Sequence, residues 1–364
     1  MQTEAEGGGG VAPPGYGYYD GALVPCSREA LVERVRLGRP TPLVWTPETA
    51  GLVRPWHVPY LFELLHQRVV AAARQRVRLP ALACGGVVLA LLAGGAPALG
   101  SMGAVVAALA GMWLLAALHG LSTARRLTPR AFEVAVEQRV AVRPASTPYT
   151  DALSVLLVGV GALQLFFFDV SVGVGELGRE TVAAGQWWRV LTAALLHGGV
   201  VHFALNFMAL RDLGRLVETF AARGFVPLVF LVAALGGSAA SLALPPHGTS
   251  LGSSGGLLGM VGFLGILGWR RKDQLPPGFL KMIVIDIALI AGLGILGYAF
   301  IDNAAHAGGL VAGGLVGLAA IPSSARVPRW EPGRAVRLAG IASLGVLALA
   351  ALFLVVVVLL VALS

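Results

Sequence analysis

Long apolar runs, separated by short polar or basic segments, make up most of the chain after residue 79. A helix that crosses the hydrocarbon core of a bilayer needs about 20 residues, and each run is close to that length. The pattern therefore predicts an all-α polytopic membrane protein with nine candidate spans. The first two form an apolar pair that is either two helices or one re-entrant hairpin. The runs are residues 80–99, 101–121, 152–168, 202–220, 225–244, 251–269, 279–300, 303–321 and 338–363.

Residues 1–79 differ from the rest of the chain and are predicted to be a cytosolic, partly disordered N-terminal region. Residues 1–20 have too few apolar side chains to offset the cost of ordering them, and they lack the apolar core of an export signal. Residues 27–37 and 61–78 have helical patterns, and prolines between them break regular structure. The basic face of 61–78 fits a helix on the inner leaflet or a small cytosolic helical domain. No function follows for this region.

Composition supports the membrane assignment. The chain is 56% hydrophobic and 13% charged, whereas a soluble domain is about 25% charged. The net charge of +8 does not indicate nucleic-acid binding, because the arginines lie between the apolar runs, where they set membrane orientation. Cys26 and Cys84 are too few and too far apart to predict a disulfide framework or a cysteine metal site.

The basic loops predict the orientation. Loops after the second, fourth, sixth and eighth runs are rich in arginine, while 245–250 and the turn at Asp302 have no Lys or Arg. The positive-inside rule puts all basic loops on one side, which makes the N-terminus cytosolic and the C-terminus outside. The Ala, Gly, Val, Leu and Arg bias is typical of a GC-rich bacterial genome, so we expect the inner (plasma) membrane. The basic loop residues are Arg125, Arg126, Arg130, Arg139, Arg143, Arg223, Arg270, Arg271, Lys272, Arg326, Arg329, Arg334 and Arg337.

Three of the runs begin with polar residues at the same end. Polar groups in a bilayer are costly and usually functional, and this topology has all three helices running from outside to inside. Their polar residues are therefore predicted to lie at one depth, one or two turns below the outer surface. The pairs are His202 with Asn206, Ser253 with Ser254, and Asn303 with His306.

The glycines near Ser254 and His306 predict that these two residues approach closely. His306 is followed by Gly309, Gly313 and Gly317, and a glycine at every fourth position lets two membrane helices pack backbone to backbone. Ser254 would then be a nucleophile activated by His306 as base. A serine at a helix N-terminus also has free N–H groups that favour a developing oxyanion.

Taken together, these segments resemble the rhomboid intramembrane serine proteases over about residues 152–321. Gly252-Ser253-Ser254-Gly255 is similar to the Gly-x-Ser-Gly of that family, and the segment from His306 to Gly313 is similar to the motif around its catalytic histidine. The other similar features are His197, the His202-x-x-x-Asn206 motif, Trp188-Arg189 in the first loop, and the set Gly214, Glu218 and Gly224.

The resemblance implies a rhomboid-like six-helix core at 152–321, with an extra C-terminal helix at 338–363 and an N-terminal apolar pair at 80–121. It implies an intramembrane serine endopeptidase with Ser254 as nucleophile and His306 as base. Asn206, His202 and the Ser254 amide are implied to stabilise the oxyanion. The expected partners are transmembrane protein substrates and the lipid bilayer.

Several residues keep two interpretations. His197 is either a positioning or a structural residue, and Ser253 is expected to pack or to cap a helix. Asp302 is a helix N-cap in preference to a third triad member. Asp286 lies about two turns inside the inner face, where we expect it to reach an inner-leaflet arginine in preference to acting as a proton relay. Leu258 stands where many family members have an aromatic ring against the histidine, so the sequence does not say how His306 is held.

No cofactor or metal is implied, since the His-Glu-x-x-His motif of zinc membrane proteases is absent from the sequence. Two other functions remain as alternatives. A catalytically inactive relative that binds membrane clients is expected to have lost the serine or the histidine. A transporter or channel is expected to have internal repeats and charges at the bilayer midplane.

Overall fold

The computed structural model describes residues 15–94, 100–133, 136, 146–244, 248–276, 278–323 and 333–364. The chain divides into two compact units, Met1–Ala141 and Val142–Ser364. Each unit has its own internal packing and is described by itself.

The first unit begins with a small antiparallel sheet. Strands β1 (Tyr16–Tyr19), β2 (Leu23–Cys26) and β3 (Leu43–Trp45) pair in the order β2-β1-β3. Helix α1 (Arg28–Arg36) covers the sheet and buries Leu31 and Val35.

The sequence patterns did not predict this sheet. The predicted disordered tail is wrong for Tyr16–Tyr19, while residues 1–14 lie outside the described residues. A Cβ on Gly17 would lie 2.1 Å from the Trp45 ring. The absence of a side chain at Gly17 therefore lets the Trp45 ring of β3 pack directly on β1. Such a contact leaves no local periodicity.

Two long helices complete the first unit. Helix α2 (Pro59–Gly94) runs without a break through Pro80, and α3 (Gly100–Arg125) packs along it. The separate segments predicted at 61–78 and 80–99 are thus one helix as far as Gly94. Residues 95–99 lie outside the described residues, so the choice between two spans and a hairpin stays open.

In the described part of the second unit, helices make up the regular secondary structure apart from one isolated bridge between Leu177 and Ser250. The long helices are α4, α8, α9, α10, α11, α12 and α13, and three short helices lie in the segment between α4 and α8. In order they are α4 (Pro148–Phe166), α5 (Phe168–Gly175), α6 (Arg179–Ala183), α7 (Arg189–Thr192), α8 (Val200–Phe220), α9 (Phe225–Ala243), α10 (Ser254–Arg270), α11 (Phe279–Leu296), α12 (Asn303–Ala320) and α13 (Arg334–Leu363).

Helix α10 is the centre of this unit. It packs against α8, α9, α11 and α12, and its contact with α12 is the most extensive of the second unit. Most of its side chains are buried, among them Met260, Phe263 and Leu264. The helix that begins with the candidate nucleophile is therefore the one most enclosed by its neighbours.

Six helices of the described residues are long and apolar enough to cross a membrane, and the bent pair Arg189–Leu195 and Val200–Phe220 makes a seventh if it counts as one span. Helix α10 has 17 residues and is slightly shorter than these six. The chain is a multi-pass membrane protein whose spans are α-helical, as the hydrophobic pattern predicted, and its small sheet lies in the first unit. Arg139, Arg143, Arg326 and Arg329, on which part of the predicted orientation rests, lie outside the described residues.

Candidate active site

Ser254 and His306 come together as the sequence predicted. Ser254 is the first residue of α10 and His306 lies in the first turn of α12. The imidazole Nε2 of His306 is 2.8 Å from the hydroxyl oxygen of Ser254, which is hydrogen-bonding distance. A neutral imidazole whose Nε2 accepts the hydroxyl proton is the arrangement that activates a serine.

Glycine contacts between α10 and α12 produce this closeness. A Cβ on Gly309 would lie 2.0 Å from the Gly255 carbonyl oxygen, and a Cβ on Gly313 would lie 2.0 Å from the Gly259 carbonyl oxygen. Any side chain at either position would push the helices apart. His306 is three residues from Gly309, so the first glycine contact fixes its distance from Ser254.

Helix α9 holds α12 from a second side in the same way. A Cβ on Gly237 would lie 2.8 Å from the Ala305 carbonyl oxygen, and a Cβ on Gly308 would lie 2.5 Å from Ala240. The backbone on both sides of His306 is therefore fixed by small residues of two helices. These contacts fix the position of His306 although residue 258 is a leucine and not an aromatic residue.

The segment before Ser254 is fixed by the segment between α4 and α8. Leu177 and Ser250 exchange two backbone hydrogen bonds of 2.8 Å, and the Gly252 amide donates to the Ala193 carbonyl at 2.9 Å. Gly252 has a φ of +135°, where side chains are strained. A Cβ there would also lie 2.8 Å from the His202 ring.

His202 and Asn206 lie beside the serine. A Cβ on Gly252 would lie 3.1 Å from His202 Nε2 and 3.7 Å from the Ser254 hydroxyl oxygen. The ring and the hydroxyl therefore border the same space. His202 Nδ1 accepts a hydrogen bond from the Gly198 amide at 3.2 Å, which leaves Nε2 as the protonated donor. Asn206 is buried, and its Nδ2 donates to the His202 carbonyl at 2.9 Å. That amide carries a second hydrogen for another acceptor.

His197 and Ser253 form a pair that the sequence did not predict. The two side chains are fully buried, and His197 Nε2 is 3.0 Å from the Ser253 hydroxyl oxygen. Ser253 stands at the N-cap position of α10, but its side chain makes no capping bond, so the expected side-chain cap is wrong. The pairing links residues 56 apart, and the sequence carried no signal for it beyond the two residue types.

Gln164 and two neighbouring rings hold His197 in place. The Gln164 side chain accepts from the His197 amide and donates to its carbonyl, both at 3.0 Å. The His197 ring also meets the His202 ring edge-on at 5.4 Å and the Phe203 ring at 5.2 Å. His197 therefore connects α4, Ser253 and the face of α8 that carries His202.

Asp302 is the N-cap of α12, as predicted. Its carboxylate accepts from the Ala305 amide at 2.9 Å and from the Ser241 hydroxyl. Burial raises the pKa of Asp302, but these hydrogen bonds more than offset the effect and hold the pKa below its ordinary value. No side-chain hydrogen bond joins Asp302 to His306 in the described structure, so the geometry is that of a pair and not of a triad.

The Trp188-Arg189 pair ties the segment between α4 and α8 together. The buried Arg189 guanidinium donates to the Gln186 side chain at 2.6 Å, the Gly173 carbonyl at 2.6 Å and the Glu176 carbonyl at 2.8 Å. Trp188 donates to the Val174 carbonyl at 3.2 Å. The pair thus fixes the segment that in turn holds Ser250 and Gly252.

The set Gly214, Glu218 and Gly224 lies at the opposite ends of the helices. Glu218 accepts from the Thr150 amide at 2.7 Å and from its hydroxyl at 2.8 Å. A Cβ on Gly214 would lie 2.5 Å from that same hydroxyl oxygen. A Cβ on Gly224 would lie 2.5 Å from the Val336 carbonyl oxygen in α13. These residues join α4, α8, α9 and α13 far from Ser254.

A metal centre does not form in the described part of the chain, where no group of three or more His, Cys, Asp or Glu side chains is placed to hold an ion. A small cavity lies beside the backbone on both sides of Ser254. Its walls are mainly glycine, alanine and serine, including Gly252, Gly255 and Ser238.

Part of the second unit is similar to known proteins. Residues 184–323 match the rhomboid domain. The chain is 35% identical over 168 residues to the rhomboid protease GluP of Bacillus subtilis, which is 42% of this chain and 32% of that protein. It is 33% identical over 152 residues to RHOMBOID-like protein 5 of Arabidopsis thaliana, which is 40% of this chain and 47% of that protein. It is 32% identical over 151 residues to Rhomboid-like protease 5 of Toxoplasma gondii, which is 40% of this chain and 18% of that protein.

The match covers less than half the length of each of these relatives. Within the matched region lie Ser254, His306, His202 and Asn206, on the helices that bring them together. The chain is a rhomboid family protein whose rhomboid domain occupies residues 184–323.

Proposed function

We propose that this protein is an intramembrane serine endopeptidase that cleaves transmembrane substrates with a Ser254–His306 dyad. The observation that carries the proposal is the 2.8 Å contact between the Ser254 hydroxyl oxygen and His306 Nε2. The relatives named as rhomboid proteases, one in Bacillus subtilis and one in Toxoplasma gondii, support the same activity.

The first half of the reaction transfers an acyl group to Ser254. The hydroxyl oxygen attacks the scissile carbonyl carbon while its proton passes to His306 Nε2. The C–N bond then breaks, and the imidazolium returns that proton to the leaving amine. The product is an ester between the substrate carbonyl and Ser254.

The developing oxyanion is stabilised by three donors. The Ser254 amide is at the N-terminus of α10, where backbone N–H groups lack partners within the helix. Asn206 Nδ2 has one hydrogen beyond the bond to the His202 carbonyl. His202 Nε2 borders the space beside the serine hydroxyl. Donors that are already fixed strengthen as charge develops, which is the main source of catalysis at such sites.

The second half of the reaction needs water at the ester. His306 removes a proton from that water, the oxygen attacks the ester carbonyl, and the proton returns to the Ser254 oxygen as it leaves. The cavity that adjoins Gly252, Gly255 and Ser238 provides room beside the serine for this water or for a small substrate side chain.

Membrane orientation follows from the basic loops. With the N-terminus cytosolic and the C-terminus outside, the Ser254 ends of α8, α10 and α12 lie near the outer face of the inner membrane. Cleavage is therefore expected near that face, in substrates whose helix unwinds easily, because helical hydrogen bonds otherwise cover the scissile carbonyl.

Labelling by a fluorophosphonate probe tests the proposal on the purified full-length protein. We expect covalent label on Ser254, identified by mass spectrometry, and loss of label in Ser254→Ala and His306→Ala. Ser343→Ala, which removes a buried serine in α13, is the matched control and should label normally. Folded wild-type protein that takes no label, and cleaves no single-span substrate, would contradict the proposal.

The alternative is an inactive rhomboid-like protein that binds membrane clients. Some relatives are named RHOMBOID-like proteins and not proteases, which is compatible with this alternative. It predicts client capture without labelling and with no effect of Ser254→Ala. The retained pair of Ser254 and His306 favours the protease.

A further inference from the structure

One ionisable side chain, Asp286, lies inside a span and takes no part in the site described above. Helix α11 is an apolar span with a mean hydropathy of 2.3. Asp286 is seven residues after Phe279, the first residue of that helix, which puts it about 10 Å from the end far from Ser254. A carboxyl group at that depth is costly unless another group satisfies it.

No partner for this carboxyl group exists among the described side chains. The arginines of the nearby loop bond elsewhere: Arg270 donates to the carbonyls of Leu318 and Ile321, and Arg271 donates to the Gln274 side chain. The possibility that an inner-leaflet arginine reaches Asp286 is therefore not realised in this structure. Asp286 is half-buried, so its carboxyl group remains accessible from one side.

Asp286 lies on the face of α11 that carries Phe279, and Phe279 meets α8. Phe279 meets Phe220 of α8 edge-on, with 5.4 Å between ring centroids. Two helical turns separate Phe279 from Asp286, so the two lie on one face of α11. On α8, the positions above Phe220 on its own face are Leu216, Leu213 and Ala209, which are apolar and partly buried. This part of α8 thus presents apolar side chains and offers no donor to a carboxyl group on that face of α11.

The depth of Asp286 relative to Ser254 follows from the contacts of α10. A Cβ on Gly268 would lie 3.4 Å from Leu280, and a Cβ on Gly265 would lie 3.6 Å from Ile283. The same antiparallel register puts Asp286 level with Gly262, eight residues after Ser254. Asp286 is therefore about 12 Å deeper than the serine along the helix axis.

We propose that Asp286 selects transmembrane substrates with a lysine or arginine about eight residues to the cytosolic side of the scissile bond. This inference rests on the proposed protease function. A substrate helix with its cleavage point at Ser254 would bring that residue to the level of Asp286. The basic group would donate to the carboxylate, and the two opposite charges would compensate each other away from water. An extended stretch at the scissile bond spans the same depth with fewer residues.

A lysine scan of a model substrate tests the proposal. The full-length protein in proteoliposomes is given single-span substrates that differ only in the position of one lysine, from four to twelve residues on the cytosolic side. Initial cleavage rates are divided by the fraction of each substrate inserted across the bilayer. We expect a single maximum at position eight or a few residues closer to the scissile bond, roughly tenfold above the all-apolar parent.

Asp286→Asn should remove this maximum and leave cleavage of the parent substrate unchanged. Asp212→Asn, at an exposed position of α8, is the matched control and should keep the wild-type profile. A flat profile in the wild type, or the same maximum in Asp286→Asn, overturns the inference. The wild-type scan decides the matter even if Asp286→Asn does not fold, which Ser254 labelling reports.

The role of Asp286 and the protease function can be contradicted separately. Cleavage of the parent substrate with no effect of lysine position removes the role of Asp286 and leaves the protease intact. No cleavage of any substrate, together with no label on Ser254, removes the protease and this inference with it.

Discussion

The carbonyl oxygen of Gly255 occupies the place where a side chain on Gly309 would have to lie, at 2.0 Å from its Cβ. Gly255 directly follows Ser254, and Gly309 lies three residues after His306. The distance between the two reactive side chains is thus set by a contact between two glycines, one on each helix.

Gly309→Ala is expected to separate α10 from α12. A methyl group at this contact forces a backbone shift, which costs about 1–3 kcal/mol in a packed core, and Ser254 then loses its contact with His306. We expect a lower melting temperature in detergent and at least a tenfold slower fluorophosphonate labelling, the factor that about 1.4 kcal/mol represents. Gly314→Ala is the matched control, because a Cβ there meets its nearest neighbour at 3.9 Å. Equal losses in both variants would contradict this account.

Gly252→Ala is expected to impair activity more than stability. Alanine is strained at a φ of +135°, and its methyl group would press on the His202 ring at 2.8 Å. The strain costs roughly 1–3 kcal/mol, and the displaced ring no longer borders the serine. Gly248→Ala has the same kind of strain at a φ of +73° but nothing within 4 Å. The cleavage rate of Gly252→Ala should fall well below that of Gly248→Ala. Equal rates would contradict a role for the contact between Gly252 and His202.

Asn206→Ala is expected to reduce kcat with little change in KM. Loss of one oxyanion donor costs roughly 10²–10³ in kcat at comparable sites, whereas substrate binding does not depend on a charge that forms later. Met208→Ala, two residues further along α8 and exposed, is the control. A variant in which KM rises and kcat holds would assign Asn206 to substrate binding instead.

Thr150→Val is expected to destabilise the protein and spare the chemistry. The hydroxyl of Thr150 donates to Glu218 at 2.8 Å, and a buried carboxyl group that loses such a donor costs about 1–3 kcal/mol. Unfolding in detergent should shift to lower temperature, while Ser254 labels at the wild-type rate below the transition. Thr219→Val removes a hydroxyl of α8 that donates to the Arg215 carbonyl of its own helix and not to Glu218, and it should leave the melting temperature within error.

Features that depend on local periodicity could be predicted from the sequence. The apolar runs predict the spans, and a polar pair at the start of each of three runs predicts their common depth. The glycines at every fourth position predict the approach of α10 and α12. Asp302 was identifiable as an N-cap for the same reason, since a cap is a contact between residues three apart.

Contacts between segments far apart in the chain could not be predicted, because they depend on how the helices and loops pack. The bond between His197 and Ser253, the bridge between Leu177 and Ser250, and the strand pairing of Tyr16–Tyr19 join residues that no period relates. Pro80 lies inside a continuous helix, although the local rule predicts a break there. The contact of Phe279 with Phe220, which identifies the face of α11 turned towards α8, was likewise not predictable, because it joins two distant segments. Periodicity shows which face of a helix is apolar, but the path of the loops decides which neighbour covers that face.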